Sequence, residues 1–152
     1  MVDLWSGVYG NGGEPLELRR ERGEGGGERK RESILVVDDD TSILDTVSSI
    51  LTQEGYSVVS AASGEEALAA IDREPPSLIL LDMRMPVMDG WAVARALRDR
   101  GVAVPIVVMT AAESAKRWAD EIQAEGYLAK PFGLDDLLST VDRHRRSGGK
   151  PH

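Results

Sequence analysis

The chain has 152 residues, with 18 Lys plus Arg against 26 Asp plus Glu, two histidines, no cysteine and 41% hydrophobic residues. That length suits one folded domain with tails, and the missing cysteines exclude a zinc ribbon, a thiol nucleophile and a disulfide framework. A formal charge of -8 opposes a dominant nucleic-acid or anionic-membrane surface, because phosphates are repelled at long range.

Composition changes sharply near Ser33. Up to that residue the chain holds 8 of the 16 glycines and 13 charged residues, six basic and seven acidic, with few aliphatics after Leu18. Such a segment cannot offset its ordering entropy by burial, so residues 1–32 read as a disordered extension. Its sign-alternating ELRRERGEGGGERKRE run reads as solvated. Residues 33–145 form the expected domain and 146–152 a flexible tail. Between Ile34 and Val141 there are 8 basic and 18 acidic side chains, so the acidity belongs to the folded part. No apolar run reaches the roughly 18 residues of a membrane span. The start, MVDLWSGVYG, lacks the basic and apolar regions of a secretory signal, which makes the cytoplasm the expected location.

Along the domain, aliphatic runs alternate with helical spacing. Residues 34–37 (ILVV) predict a strand, and Ile43, Leu44, Val47, Ile50 and Leu51 a helix closed by Gly55 in a left-handed cap. Residues 56–60 predict a second strand. Ser63 with Glu66 forms a capping box ahead of Ala67, Leu68 and Ile71, and Pro75 and Pro76 end that helix. Residues 78–81 are the third strand, Asp89 caps the third helix, and Gly101 stops it. Residues 106–109, 113–124, 126–129 and 134–145 predict strand, helix, strand and closing helix. Strands that lose polar alternation are buried on both faces, so five strand and helix pairs imply an α/β fold, a doubly wound five-stranded parallel sheet. Ligands in such folds sit beyond the carboxyl ends of the strands.

At those ends stand Asp38, Asp39 and Asp40, then Asp82, then Thr110, then Lys130 with Pro131. Singly, each has an ordinary reading as a helix cap or a solvated charge. Together they are less ordinary, because carboxylates from two strand ends repel unless a cation lies between them. Few hard oxygen ligands with room for water suit Mg²⁺. With a lysine and a threonine nearby, they describe a site that accepts a phosphoryl group on a carboxylate.

The strings ILVVDDD, LDMRMPVMDG, VVMTAA and GYLAKPF, in that order, resemble the receiver domain of bacterial two-component response regulators. The resemblance covers about residues 33–145 and is to the stand-alone, single-domain type. It implies the flavodoxin-like (βα)5 fold with strand order 2-1-3-4-5. Asp82 would then accept a phosphoryl group from a sensor histidine kinase, a phosphotransfer protein or a small acyl phosphate. Asp39 and Asp82 would bind Mg²⁺ directly, with Asp38 assisting and Arg84 offering its backbone carbonyl. Lys130 would pair with Asp82 at rest and with the phosphoryl oxygens afterwards, and the Lys130-Pro131 bond would be cis. Backbone N–H groups of Met83, Arg84 and Ala111 would cradle the phosphoryl group. Thr110 and Tyr127 would form the switch, remodelling the face of the fourth helix, fifth strand and fifth helix that meets a downstream protein.

Three other readings compete. An aspartyl-phosphate phosphatase carries a second Asp two residues after its nucleophile, where this chain has Arg84. A flavin carrier of this topology needs a neutral phosphate loop where Asp38, Asp39 and Asp40 stand. The third alternative is a pseudo-receiver, an interaction module that does not undergo phosphorylation. The expected protein is therefore a signalling switch and not an enzyme acting on other substrates. With eleven residues after Val141, output is expected through protein contact, without direct nucleic-acid binding or membrane insertion.

Overall fold

The computed structural model describes the backbone of residues 32–149, with side chains through Arg145. The expected disordered arm, apart from Glu32, and the tail residues 150–152 lie outside the described residues. Five strands, β1 (Ser33–Val37), β2 (Ser57–Ala61), β3 (Leu78–Asp82), β4 (Ile106–Ala111) and β5 (Gly126–Lys130), alternate with five helices. The helices are α1 (Thr41–Gln53), α2 (Gly64–Arg73), α3 (Gly90–Asp99), α4 (Ala112–Glu121) and α5 (Leu134–Gly149). Among the described residues all strand pairings are parallel, and the order of these five strands in the sheet is 2-1-3-4-5.

Both faces of the sheet carry a core, and the alternation of side chains along each strand divides the residues between them. Ile34, Val36, Leu78, Leu80, Val107, Met109 and Leu128 pack against Leu44, Val47 and Leu51 of α1 and Leu137 and Val141 of α5. Leu35, Val37, Ile79, Leu81 and Val108 face the other way, against α2, α3 and α4. Burying each such aliphatic side chain contributes roughly 1.5–3 kcal/mol relative to exposure.

Helix ends follow local chemistry. Asp40, Ser63 and Asp89 cap α1, α2 and α3 through backbone N–H groups of Ser42, Glu66 and Ala92. In the α2 box the Glu66 carboxylate accepts from Ala62 N at 2.8 Å, one residue before the cap itself. Gly55 (φ 97°) and Gly101 (φ 70°) take left-handed positions after α1 and α3. The fourth helix ends at Glu121, three residues before the expected Ala124. Gln123 adopts φ 58°, and the N–H groups of Gln123 and Ala124 donate to the carbonyls of Asp120 and Ala119. This is a Schellman closure built on glutamine, which lacks the glycine signal. At the other terminus α5 runs to Gly149, past the expected end near Arg145 and into the segment read as tail. Its apolar spacing stops at Val141, but helical backbone bonding needs no apolar side chain.

Glu32, assigned to the arm by composition, is bonded to the domain. Its carbonyl accepts from Ser57 N at 3.0 Å, and its carboxylate meets Arg145 Nη1 at 3.1 Å. Among the described residues no helix is long and apolar enough to cross a membrane.

Candidate functional site

Strand parity assembles the site. Asp38, Asp82 and Lys130 continue the even-numbered rows 34–36, 78–80 and 128, which face α1 and α5. All three therefore reach the same face at the same end of the sheet. Asp38 and Asp82 are 0% and 5% exposed, whereas Asp39, one step beyond Asp38, is exposed. One carboxylate oxygen from each of Asp38, Asp39 and Asp82 lies within 4.8 Å of the others. Asp40 is not part of the cluster, because its carboxylate is used in capping α1.

Among the described residues a single ammonium, that of Lys130, faces these acids. Lys130 Nζ donates to Asp38 Oδ2 at 2.8 Å and stands 3.7 Å from Asp82 Oδ1. Its hydrogen bond at rest is thus with Asp38, and its pairing with Asp82 is longer. The other Asp38 oxygen accepts from Asp40 N at 2.9 Å, and Asp82 Oδ1 accepts from Arg84 N at 3.3 Å. Burial and then the Asp38 carboxylate push the Asp82 carboxyl from 3.8 up to about 7, against the weaker opposing pull of Lys130 and the Arg84 N–H. Hard oxygen donors in excess of the local positive charge fit a divalent cation such as Mg²⁺.

The loop after β3 is shaped by backbone geometry. Met88 N donates to Pro86 O at 2.7 Å around Val87, which is 95% exposed and held at φ 69°. A β-branched residue at positive φ is unusual, and composition carries no sign of it. The loop returns through Gly90, whose N–H donates to Met83 O at 3.1 Å. A Cβ at Gly90 would lie 2.4 Å from Met83 Sδ, 2.7 Å from Met83 Cα and 3.0 Å from Asp82 O. Only glycine allows that approach. Met83 and Met85 are buried and Met88 packs beside them, so they are loop packing. The Arg84 guanidinium lies over the Trp118 ring of α4, 5.9 Å from its centroid.

Thr110 and Ala111 close β4, paired in register with Ala129 and Lys130. Thr110 is buried, and among the described residues no hydrogen bond joins its hydroxyl to Asp82. Ala111 is the N-cap of α4 without a side-chain cap bond. Tyr127 lies two register positions before Thr110's partner and is 45% exposed, directed away from the core. The Lys130-Pro131 bond is cis. His144 packs over Gly126 at the far end of β5, away from the acids. Gly90, Val87 and the partnership of Arg84 with Trp118 are absent from the reading of the residues. Gly90, Val87 and Arg84 all stand in LDMRMPVMDG, but nothing in that string signals the close approach, the positive φ or the aromatic partner.

Comparison with known proteins agrees with this geometry. The model of the response regulator receiver domain matches residues 34–142. Response regulator MprA of Mycolicibacterium vanbaalenii is 42% identical over 110 residues, 71% of this chain and 48% of that protein. The probable transcriptional regulator ycf27 of Pyropia yezoensis is 44% identical over 116 residues, 75% of this chain and 47% of its own length. The chain thus spans about half the length of the curated relatives it matches. Among solved structures, chemotaxis protein CheY4 of Vibrio cholerae superposes with a TM-score of 0.70 at 35% identity, covering 76% of this chain and 99% of its own. On the match over residues 34–142, with five parallel strands in the order 2-1-3-4-5, the chain belongs to the response regulator receiver domain family of two-component signalling.

Proposed function

We propose that this domain is a phosphorylation-activated switch that takes a phosphoryl group on Asp82 from a sensor histidine kinase or phosphotransfer protein. The observation that carries this reading is the convergence of Asp38, Asp39 and Asp82 on one pocket faced by Lys130. An Asp82 carboxylate oxygen attacks phosphorus, the donor's P–N bond breaks, and an acyl phosphate forms. Lys130 then shifts its hydrogen bond from Asp38 to a phosphoryl oxygen, while backbone N–H groups of Met83, Arg84 and Ala111 cradle the others. Asp38, Asp39, Asp82 and the Arg84 carbonyl would hold Mg²⁺. When bound, that ion supplies charge stabilisation at the phosphoryl oxygens.

Thr110 and Tyr127 are the switch in this reading. The added negative charge attracts the Thr110 hydroxyl, the end of β4 shifts toward Asp82, and the exposed Tyr127 ring turns inward. The face of α4, β5 and α5 is thereby remodelled for a protein partner. Folded boundaries at 33–145 belong to this proposal, with Glu32 as a bonded entry residue and residues 1–31 outside the switch. The chain modifies only itself, by gaining and losing its phosphoryl group.

Incubating the full chain with acetyl phosphate and Mg²⁺ should add one phosphoryl group, a gain of about 80 Da in intact mass. Asp82→Asn should abolish that gain. Labelling of the variant to the same stoichiometry would falsify the acceptor assignment. Failure of the wild type to label, with either acetyl phosphate or a phosphorylated histidine kinase, would favour the pseudo-receiver.

A further inference from the structure

Arg84 stands two residues past Asp82 with its side chain exposed. Among the described residues its guanidinium meets no carboxylate, and its contact is the Trp118 ring. Trp118 sits edge-on to Trp91, with ring centroids 4.9 Å apart at 69°, and Trp91 Nε1 donates to Glu121 Oε1 at 2.9 Å. The ring pair is therefore anchored by two helices, whereas the cation sits on a long unbranched side chain that no ion pair among the described residues holds.

The two ends of that side chain have different attractions. Its root is at the acceptor, since Arg84 N lies 3.3 Å from Asp82 Oδ1. Its tip rests on an aromatic face, a contact worth roughly twofold to fivefold in an equilibrium at an exposed site. A guanidinium fork binds phosphoryl oxygens through paired charge-assisted hydrogen bonds, roughly twice as strong as neutral ones. Phosphorylation replaces the single carboxylate charge with an acyl phosphate that carries roughly -1.5 to -2 on three exposed acceptor oxygens.

We propose that Arg84 is a two-position phosphoryl ligand. Its guanidinium is parked on Trp118 while Asp82 is unmodified and moves to the phosphoryl oxygens once Asp82 carries the group, leaving the aromatic pair of α3 and α4 without its cation. The inference rests on the reading of Asp82 as acceptor. No further bond is made or broken and no proton moves, because arginine stays charged throughout. Trp118 then competes with the phosphoryl group for one side chain, so it restrains phosphoryl binding from α4.

The test is a double-mutant cycle on the full chain, read as the affinity for beryllium fluoride, a stable mimic of a carboxylate-bound phosphoryl group, in the presence of Mg²⁺. Arg84→Gln should weaken binding about tenfold, the scale of a hydrogen bond to a charged group. Trp118→Leu should tighten it roughly twofold to fivefold by releasing the cation, and that gain should vanish when Arg84→Gln is also present. Should Trp118→Leu not fold, Trp118→Phe, with a weaker cation-binding face, gives a smaller gain of the same sign. An Arg84→Gln variant that binds as wild type, or a Trp118 effect that persists without Arg84, overturns the proposal. A wild type labelled on Asp82 with additive variants defeats this inference alone, whereas a wild type that takes no phosphoryl group from any donor defeats both.

Discussion

The two ends of the sheet each carry an ionic cluster, and they are built on opposite terms. At the carboxyl ends of the strands, Asp38 and Asp82 are buried with Asp39 beside them and, among the described residues, only Lys130 in answer. At the amino ends, Arg145 donates to the Tyr56 hydroxyl at 3.0 Å and pairs with Glu32 and Asp142 at 3.1 and 3.0 Å. There the guanidinium lies over the Tyr56 ring, 5.6 Å from its centroid. Burial works against the Arg145 charge, but Tyr56, Glu32 and Asp142 more than offset it and raise its pKa. At the acidic end burial and repulsion prevail and Asp82 holds its proton up to about 7. A cluster whose acids are paired at the solvent-screened rim ties the chain together; one whose acids lie in buried excess is poised for a cation and for chemistry.

Glycine substitution should separate the two ends most widely. At Gly90 a Cβ meets the backbone of Met83 and Asp82, which cannot move aside. Gly90→Ala should therefore cost about 1–3 kcal/mol, and thermal melting should fall by roughly 5–10 °C for a domain of this size. At Gly126 the obstacle is the His144 ring, 2.6 Å away, and a side chain can turn. Gly126→Ala should shift melting by less than half as much. Equal losses at both glycines would remove the contrast between a backbone-locked end and a yielding one.

A smaller effect is expected from charge. Without metal, folded Asp82 keeps its proton between about pH 4 and pH 7, where the unfolded chain has released it. The native state then binds more protons, so stability should fall as pH rises through that window. Asp82→Asn should flatten the slope and, above pH 7 in EDTA, be more stable than wild type by about 1 kcal/mol. Millimolar Mg²⁺ should raise the melting temperature of wild type more than that of the variant. Identical wild-type melting in EDTA and Mg²⁺, together with a less stable variant, would mean the three carboxylates do not share a pocket.

The smallest change belongs to the solvent-screened end. Arg145→Gln breaks two ion pairs whose acidic partners are 44% and 50% exposed, and solvent-screened pairs contribute about 0–1 kcal/mol each. Melting should drop by a few degrees, with acetyl phosphate labelling of Asp82 unchanged. A loss of labelling would couple the two ends and defeat the division between them.

Much of the fold was legible because its signals are local. Asp40, Ser63 and Asp89 announce helix starts through their own side chains, and Gly55 and Gly101 announce ends through the one residue that enters left-handed space freely. Where the same geometry is made by a residue without that preference, the signal disappears: Gln123 closes α4 and Val87 turns the loop after β3. The chemistry-bearing residues were legible as a set, because each stands directly after an aliphatic run. Their roles rest on the resemblance.

By itself, the sequence determined the alternation of strands and helices, the burial of the sheet on both faces, and which side chains stand at the strand ends, since periodicity and capping depend on near neighbours. Only the tertiary structure decided who meets whom. Lys130 reaches Asp38 across 92 positions of chain, Arg84 finds Trp118 and Arg145 finds Glu32, and Gly90 is required by a loop that folds back on Asp82. Such pairings follow from strand order and helix docking, which bring distant segments within a few ångströms, and no spacing along the chain encodes them.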